Sequence, residues 1–292
     1  MDTGKECLLR LGHRHPVKRG RCVLQIDRLR CHLERGKKMT VSAKIVMAIM
    51  FAAVPISMAQ TTQPTAKPSP SSAPATQSAT TSVATQPSVE SLRKAAEKGE
   101  ADAQYSLGVC YYIGDGVEAD QSEAAKWYRK AAAQGHAKAQ RNLGACYLVG
   151  KGVKKDQSEA VNWFRKASDQ GDDIAQWCLG RCYYWGFGVK IDQKEAVKWL
   201  RKAAAQGLAK AQHLIGICYY KGEGVDKDFH EAVKWFRSAA EQGDDNAQAC
   251  LGACYYNGEG VEKDEREAVK WLLKAAVQGN ENAKAALKPG KS

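Results

Sequence analysis

Two short apolar stripes, each with helical spacing, alternate between residues 173 and 208. The first stripe, helix A, has members at offsets 0, 4, 7, 8 and 11, which are Ala175, Leu179, Cys182, Tyr183 and Gly186. The second stripe, helix B, follows a Gly-Phe-Gly-Val turn and consists of Ala196, Trp199, Leu200, Ala203 and Ala204. Residues at these spacings share one helix face, so the pattern predicts a helix–turn–helix unit.

This 36-residue unit occurs five times without a gap, as residues 101–136, 137–172, 173–208, 209–244 and 245–280. A fixed period of about 20 to 50 residues is typical of solenoids, in which each unit packs on its neighbours. Residues 88–99 match only the end of helix B, and residues 281–287 only the start of helix A. We therefore predict an all-α fold, an α/α superhelical solenoid of five repeats with a capping helix at each end.

Glycines and an Asp–Glu pair mark the helix ends in every repeat. In the third repeat, Gly186 and Gly188 permit the reversal after helix A, and Gly207 suits the left-handed position after helix B. At the start of helix B, the Asp should accept from free backbone N–H groups while the Glu reaches back to the N-cap. The pairs are Asp120 and Glu123, Asp156 and Glu159, Asp192 and Glu195, Asp228 and Glu231, and Asp264 and Glu267.

A glycine also stands inside each helix A, where Gly is about 1 kcal/mol less favourable than Ala. These glycines are Gly108, Gly144, Gly180, Gly216 and Gly252. Close approach of helix B, near its Trp, would explain why a glycine is used there.

The columns that do not vary between repeats read AxAQxxLGxCYxxGxGVxxDxxEAVxWFRKAAxQG and resemble the Sel-1-like repeat family, a relative of the tetratricopeptide repeat. The resemblance covers residues 88 to about 288. It implies a protein-interaction scaffold or adaptor whose A helices line a concave groove. One departure is the cysteine column at positions 110, 146, 182, 218 and 254, inside helix A. Cysteine-rich members of the family instead place cysteines near the end of helix B and the start of the next helix A.

The net charge of +12 is concentrated ahead of the repeats. Residues 1–38 hold 11 Lys and Arg against 4 Asp and Glu, a net of +7. We interpret them as an extension that precedes the true start at Met39; the alternative is a genuine basic arm of the protein. Residues 39–59 read as a signal peptide, with Lys44, an apolar run and a small-residue cleavage site ending at Ala59. Residues 60–87, rich in Thr, Ser, Pro and Gln, are predicted to be a disordered linker, and 289–292 a tail after the solenoid at 88–288.

The helix A positions that point away from helix B are predicted to bind the partner. On a helical wheel they fall about 180° from the apolar stripe, and the tyrosines and one leucine of one column should form the groove floor. The floor column is Tyr112, Leu148, Tyr184, Tyr220 and Tyr256. Trp177 and Arg181 are expected at the centre, with Tyr105, Arg141 and His213 around them. The alternative is that the tyrosines merely pack against neighbouring repeats.

The sequence favours a non-enzymatic module without catalytic, cofactor or metal residues. Capping accounts for all five carboxylate pairs, the Gly-rich turns carry no phosphate-loop lysine, and His213 and His230 lie on different helices. We expect a monomer that binds a protein or peptide but not nucleic acid, secreted or periplasmic, with no stable membrane anchor after signal cleavage. The alternative is an envelope hydrolase or a peptidoglycan- or β-lactam-binding protein, as suggested for some cysteine-rich relatives.

Seven cysteines fall within the repeats, at 110, 146, 178, 182, 218, 250 and 254. Cys178 and Cys182 are one helical turn apart with nearly parallel side chains, and cysteines on successive A helices should be about 8 to 10 Å apart. Neither geometry suits a disulfide. We predict buried thiols that pack as small hydrophobic side chains.

Export predicts that the mature chain starts at Gln60. Mass spectrometry of the protein from the extracytoplasmic fraction should find an N-terminal peptide that begins there. Intact peptides spanning residues 30–60 in that fraction would contradict both the cleavage and the start at Met39.

Overall fold

The structure is a computed structural model and describes residues 88–287. Within this range the chain forms twelve α-helices and no strand. They are α1 (Val89–Glu97), α2 (Ala101–Ile113), α3 (Gln121–Ala133), α4 (Ala137–Val149), α5 (Gln157–Asp169), α6 (Asp173–Trp185), α7 (Gln193–Ala205), α8 (Ala209–Lys221), α9 (Phe229–Glu241), α10 (Asp245–Asn257), α11 (Glu265–Val277) and α12 (Glu281–Ala286). The predicted extension, signal peptide, linker and tail lie outside the described residues.

The helices pack in sequence order, which confirms the predicted all-α solenoid. Each even-numbered helix from α2 to α10 is a helix A and packs on the helix B that follows it, and each helix B packs on the next helix A. The ten full-length helices have 13 residues each, a length that is marginal for an isolated helix in water. Their stability therefore comes from the apolar stripes that adjacent helices bury.

The Asp residues cap helix B as predicted, but the Glu residues do not reach back. The Asp192 carboxylate accepts from the Glu195 backbone N–H at 3.0 Å, and the other four Asp N-caps do the same in their repeats. The Asp192 backbone N–H instead donates to the Tyr183 carbonyl near the end of helix A, at 3.0 Å. Since that donor is already satisfied, Glu195 is free to pair with Lys198 at 3.1 Å.

The glycine inside helix A faces the residue after the Trp, not the Trp itself. A Cβ at Gly180 would lie 2.8 Å from Leu200 Cγ and 3.2 Å from the Ala196 carbonyl oxygen. In the other repeats the facing side chains are Tyr128, Phe164, Phe236 and Leu272. The expected close approach is therefore confirmed, but its partner was predicted one residue too early.

The second turn glycine holds successive repeats together. Gly188 has φ +71°, and a Cβ there would overlap the Gln157 carbonyl oxygen of the preceding helix B at 2.1 Å. The corresponding glycines of repeats 2, 4 and 5 meet the preceding helix B in the same way. This turn consequently packs backbone against backbone at the junction between repeats.

Each end of the array carries a capping helix, and the one at the C-terminal end covers its neighbour incompletely. At the start, α1 packs on α2, and the Gly116 turn lies against Val89. At the other end, α12 packs on α11 but leaves Val269, Leu273 and Val277 exposed on α11. The equivalent residue Val233 is buried because a full repeat follows it, whereas only the short α12 follows Val269.

Gly188→Ala should destabilise the solenoid much more than Gly207→Ala. Both glycines have positive φ, but a Cβ at Gly207 meets nothing within 4 Å, so this control measures backbone strain alone, about 1 to 2 kcal/mol. Overlap with the Gln157 carbonyl should add at least about 2 kcal/mol for Gly188→Ala. Urea unfolding of both variants measures the difference. Equal losses would mean that the turn does not fix the junction.

Candidate binding surface on the A helices

The nine residues predicted to line the groove differ widely in exposure. Arg181 and His213 are each only 8% exposed, whereas Tyr256 is 44% exposed. The other six are partly buried: Tyr105, Tyr112, Arg141, Trp177, Tyr184 and Tyr220. The expectation that all of these side chains project away from the packed interior was therefore wrong for Arg181 and His213. Arg181 lies against the Trp177 and Trp185 rings of its own helix, and His213 lies against Cys250 of the next helix A and Phe236 of helix B.

The predicted floor column contacts the turn of the next repeat. Tyr184 donates its hydroxyl to Glu223, and Tyr220 donates to Glu259 at 2.7 Å. Burial, followed by these carboxylates, raises the pKa of both tyrosines. Tyr256 belongs to the last repeat, and its exposure follows because no further turn covers it. The tyrosines thus act mainly as inter-repeat contacts, the alternative that the sequence left open.

A second column, which contains Tyr105 and Arg141, contacts the start of the next helix A. Tyr105 stacks on His136 with ring centroids 4.7 Å apart. Arg141 Nη1 lies 3.0 Å from Asp172 Oδ2, in a largely buried ion pair. Each of these partners is also the N-cap of its helix. Most polar groups in this column are therefore used at repeat junctions.

The third repeat carries an apolar cluster that the sequence analysis did not select. We define the third-repeat patch as Trp185, Phe187 and Ile191, at the end of α6 and in the turn that follows. Trp185 is 40% and Ile191 53% exposed, and the Trp185 and Phe187 rings stack with centroids 6.1 Å apart. Ile191 lies against Gly186, the residue between Trp185 and Phe187 in the chain.

The residues of the third-repeat patch are replaced by charged or polar ones in the next two repeats. The fourth repeat has Lys221, Glu223 and Lys227 at these positions, and the fifth has Asn257, Glu259 and Lys263. The helical-wheel argument missed the patch because it considered a narrow sector of helix A and ignored the turn. A column-by-column comparison of the repeats would have found it.

Arg181 contacts this patch through Trp185, and Trp177 contacts Arg181. The Arg181 Cζ lies 4.6 Å from the Trp177 ring centroid and 5.1 Å from that of Trp185. Lys210 Nζ lies 5.7 Å from the centroid of the Trp177 ring as well. Burial lowers the pKa of Arg181, with nearby Cys178 and Cys182 opposing the shift. The third repeat thus combines exposed aromatic surface with its own Arg181 and with Lys210 from the start of the fourth repeat.

One buried thiol–imidazole pair, Cys250 and His213, is unsuited to nucleophilic catalysis because its thiol stays protonated. Cys250 Sγ lies 3.7 Å from His213 Nε2, and both side chains are buried. Burial raises the pKa of Cys250 well above its ordinary value and lowers that of His213. Both effects favour the neutral pair, whereas an activated cysteine needs a lowered pKa.

Within residues 88–287, no group of three His, Cys, Asp or Glu side chains is arranged to hold a metal ion. In the same range, no helix has the length and apolar character needed to cross a membrane. This part of the chain is a helical-repeat solenoid, because each helix pair has the same form and packs on the next pair along the sequence.

Comparison with known protein families identifies Sel1 repeats at residues 101–136, 137–172, 173–208, 209–244 and 246–280. The chain belongs to the Sel1 repeat family. A comparison with curated proteins gives no match.

Two similar crystal structures are those of a protective antigen of uropathogenic Escherichia coli with an SLR fold and of a Sel1 repeat protein from Oxalobacter formigenes. The first is 40% identical with a TM-score of 0.66, and the match covers 69% of this chain and 43% of that one. The second is 38% identical with a TM-score of 0.63, and covers 68% and 83%. This chain thus spans less than half the length of the Escherichia coli protein.

The seven cysteines of the described residues are unpaired, as predicted, and all but Cys110 are buried. Burial raises the pKa of Cys178 to about 11 and that of Cys182 to about 12. Iodoacetamide at pH 8 should therefore modify Cys110 first and the buried thiols much more slowly. In denaturant without reductant, peptide mapping should find all seven alkylated. Fewer than six alkylated sites would contradict the packing of these thiols.

Proposed function

We propose that the solenoid is a non-enzymatic protein-interaction scaffold that binds a protein or peptide partner across the A helices, centred on the third repeat. The observation that carries this proposal is the third-repeat patch. Exposed aromatic and aliphatic side chains that adjoin one another are typical of binding sites, where Trp and Arg often contribute most of the affinity. Equivalent positions in repeats 4 and 5 are charged or polar, so the repeat fold itself does not require the patch.

The other predicted groove residues take supporting roles in this proposal. Arg141, Tyr184 and Tyr220 use their polar groups in contacts between repeats, and we expect them to position the surface rather than to hold the partner. Arg181 stays at the centre because it contacts Trp185, and Trp177 because it contacts Arg181. Tyr105, Tyr112 and Tyr256 lie in the same two columns and extend the surface toward the two ends, whereas the buried His213 packs against Cys250 beneath it.

The non-catalytic part of the proposal is supported by how the acidic residues are used. The five Asp residues that open helix B accept backbone N–H groups, a structural role that is the same in every repeat. The neutral state favoured for Cys250 and His213 points the same way.

The proposed location is the bacterial cell envelope or the exterior. It rests on the sequence of residues 39–59, which lie outside the described residues, and on the leader-like arrangement of Lys44, the apolar run and Ala59. The partner is accordingly expected in the envelope or outside the cell.

Replacing the third-repeat patch by the residues of repeat 4 should abolish partner binding. The variant is Trp185→Lys, Phe187→Glu and Ile191→Lys, a set that the same fold already carries at the equivalent positions. Proteins captured from an envelope extract by the wild type should be identified by mass spectrometry, and the leading candidate purified and titrated. We expect the variant to weaken its binding by at least about 100-fold, the loss of one or two buried aromatic anchors.

The matched control is Leu273→Arg, which restores on α11 the residue that other B helices carry and removes an exposed apolar side chain elsewhere. It should bind as the wild type does. Full binding by the patch variant, with melting unchanged, would move the site away from the third repeat.

A further inference from the structure

We propose that Arg181 receives a carboxylate side chain, Asp or Glu, of the partner, while an adjacent apolar residue of the same partner packs on Trp185 and Phe187. This inference rests on the proposed function and specifies the chemistry of that site. It depends on the surroundings of one guanidinium group and on a comparison between repeats.

Arg181 is a buried cation without a counter-ion among the described residues. Its side chain is 8% exposed and lies against two indoles, yet it forms no ion pair or hydrogen bond with any residue from 88 to 287. Aromatic rings interact with a guanidinium through their faces and leave its five N–H donors available. None of its guanidinium nitrogens is fully buried, so these unused donors remain within reach of a partner, and a largely buried cation is most favourable when an anion pairs with it.

Arg141 shows what a satisfied arginine looks like in this solenoid. It lies one repeat earlier, is also largely buried, and pairs with Asp172 at 3.0 Å. Arg181 therefore differs from Arg141 in the one feature that a ligand would supply, an acidic group.

The fold does not need an arginine at this position. The equivalent residues of the other repeats are Val109, Ala145, Ile217 and Ala253, all uncharged. Packing between repeats is thus achieved with aliphatic side chains, and the arginine adds a desolvated charge that packing alone does not explain.

A carboxylate with an apolar neighbour fits this site better than a polyanion. Among residues 88–287, two cations, Arg181 and Lys210, contact Trp177, whereas a nucleic acid backbone is bound through many phosphate contacts. The remaining surface is Trp185 and Phe187, which suits an aliphatic or aromatic side chain. A planar carboxylate also matches the geometry of the guanidinium donors.

The test selects a phage-displayed library of random 12-residue peptides on the purified protein. Enriched peptides should carry Asp or Glu next to an aromatic or aliphatic residue. Replacing that acid by its amide should weaken binding to the wild type by at least about tenfold, as expected for loss of a charge-assisted pair. The same replacement should have little effect on binding to Arg181→Gln, because the pair is already absent there.

Two further variants separate a binding role from a structural one. Arg237→Gln, in which the lost arginine donates to Tyr255 on another repeat, should bind the peptides like the wild type. Arg181→Ile, the residue of repeat 4, should bind weakly yet melt at the same or a higher temperature. A lower melting temperature for Arg181→Ile would show that Arg181 is structural and would overturn the inference.

The outcomes also distinguish this inference from the proposed function. Peptides that lose binding with the Trp185→Lys, Phe187→Glu, Ile191→Lys variant but carry no acid, or ignore Arg181→Gln, would overturn the carboxylate and leave the binding surface standing. Peptides that bind that variant as well as the wild type would overturn both.

Discussion

Close contact between backbones is the constraint on which this solenoid depends. Within a repeat, Gly180 lets helix A approach helix B until Leu200 and the Ala196 carbonyl fill the space of a Cβ. Between repeats, the Gly188 turn rests on the Gln157 carbonyl of the preceding helix. Both contacts recur along the array, so helices too short to be stable alone form one continuous core.

The same tight packing explains why several predicted groove residues serve the junctions. With neighbouring A helices close together, a side chain that leaves one helix meets the start or the turn of the next. Asp172 shows the result: it caps α6 through the Ala175 N–H at 2.7 Å and also pairs with Arg141. Variable positions can therefore differ between repeats because each matches its own neighbour, without any contribution to binding.

The third repeat differs, because some of its side chains have no such partner in the neighbouring repeat. It exposes Trp185 and Ile191 where later repeats place charged or polar side chains, and the largely buried Arg181 has no acidic partner in the described residues. Features that lower stability without serving the fold tend to mark functional sites. The proposal for this repeat follows from that contrast within a single chain.

The sequence by itself determined the helix pairs, their 36-residue period, the Asp N-caps and the unpaired cysteines, because these depend on local spacing and on residues that recur in every copy. It was less reliable where two elements meet. The Glu195 reach-back failed since the Tyr183 carbonyl takes the donor, and the partner of Gly180 is Leu200 rather than Trp199.

Only the tertiary structure decided which side chains are accessible. A helical wheel gives a direction for Arg181 and His213 but not their burial: the Trp177 and Trp185 rings lie against Arg181, and Cys250 of the next helix A lies against His213. Conversely, Trp185 lies outside the sector of helix A that the wheel selected and Phe187 lies in the turn, and packing leaves Trp185 exposed and Phe187 partly exposed. Exposure depends on contacts between repeats, and one repeat read alone cannot contain them.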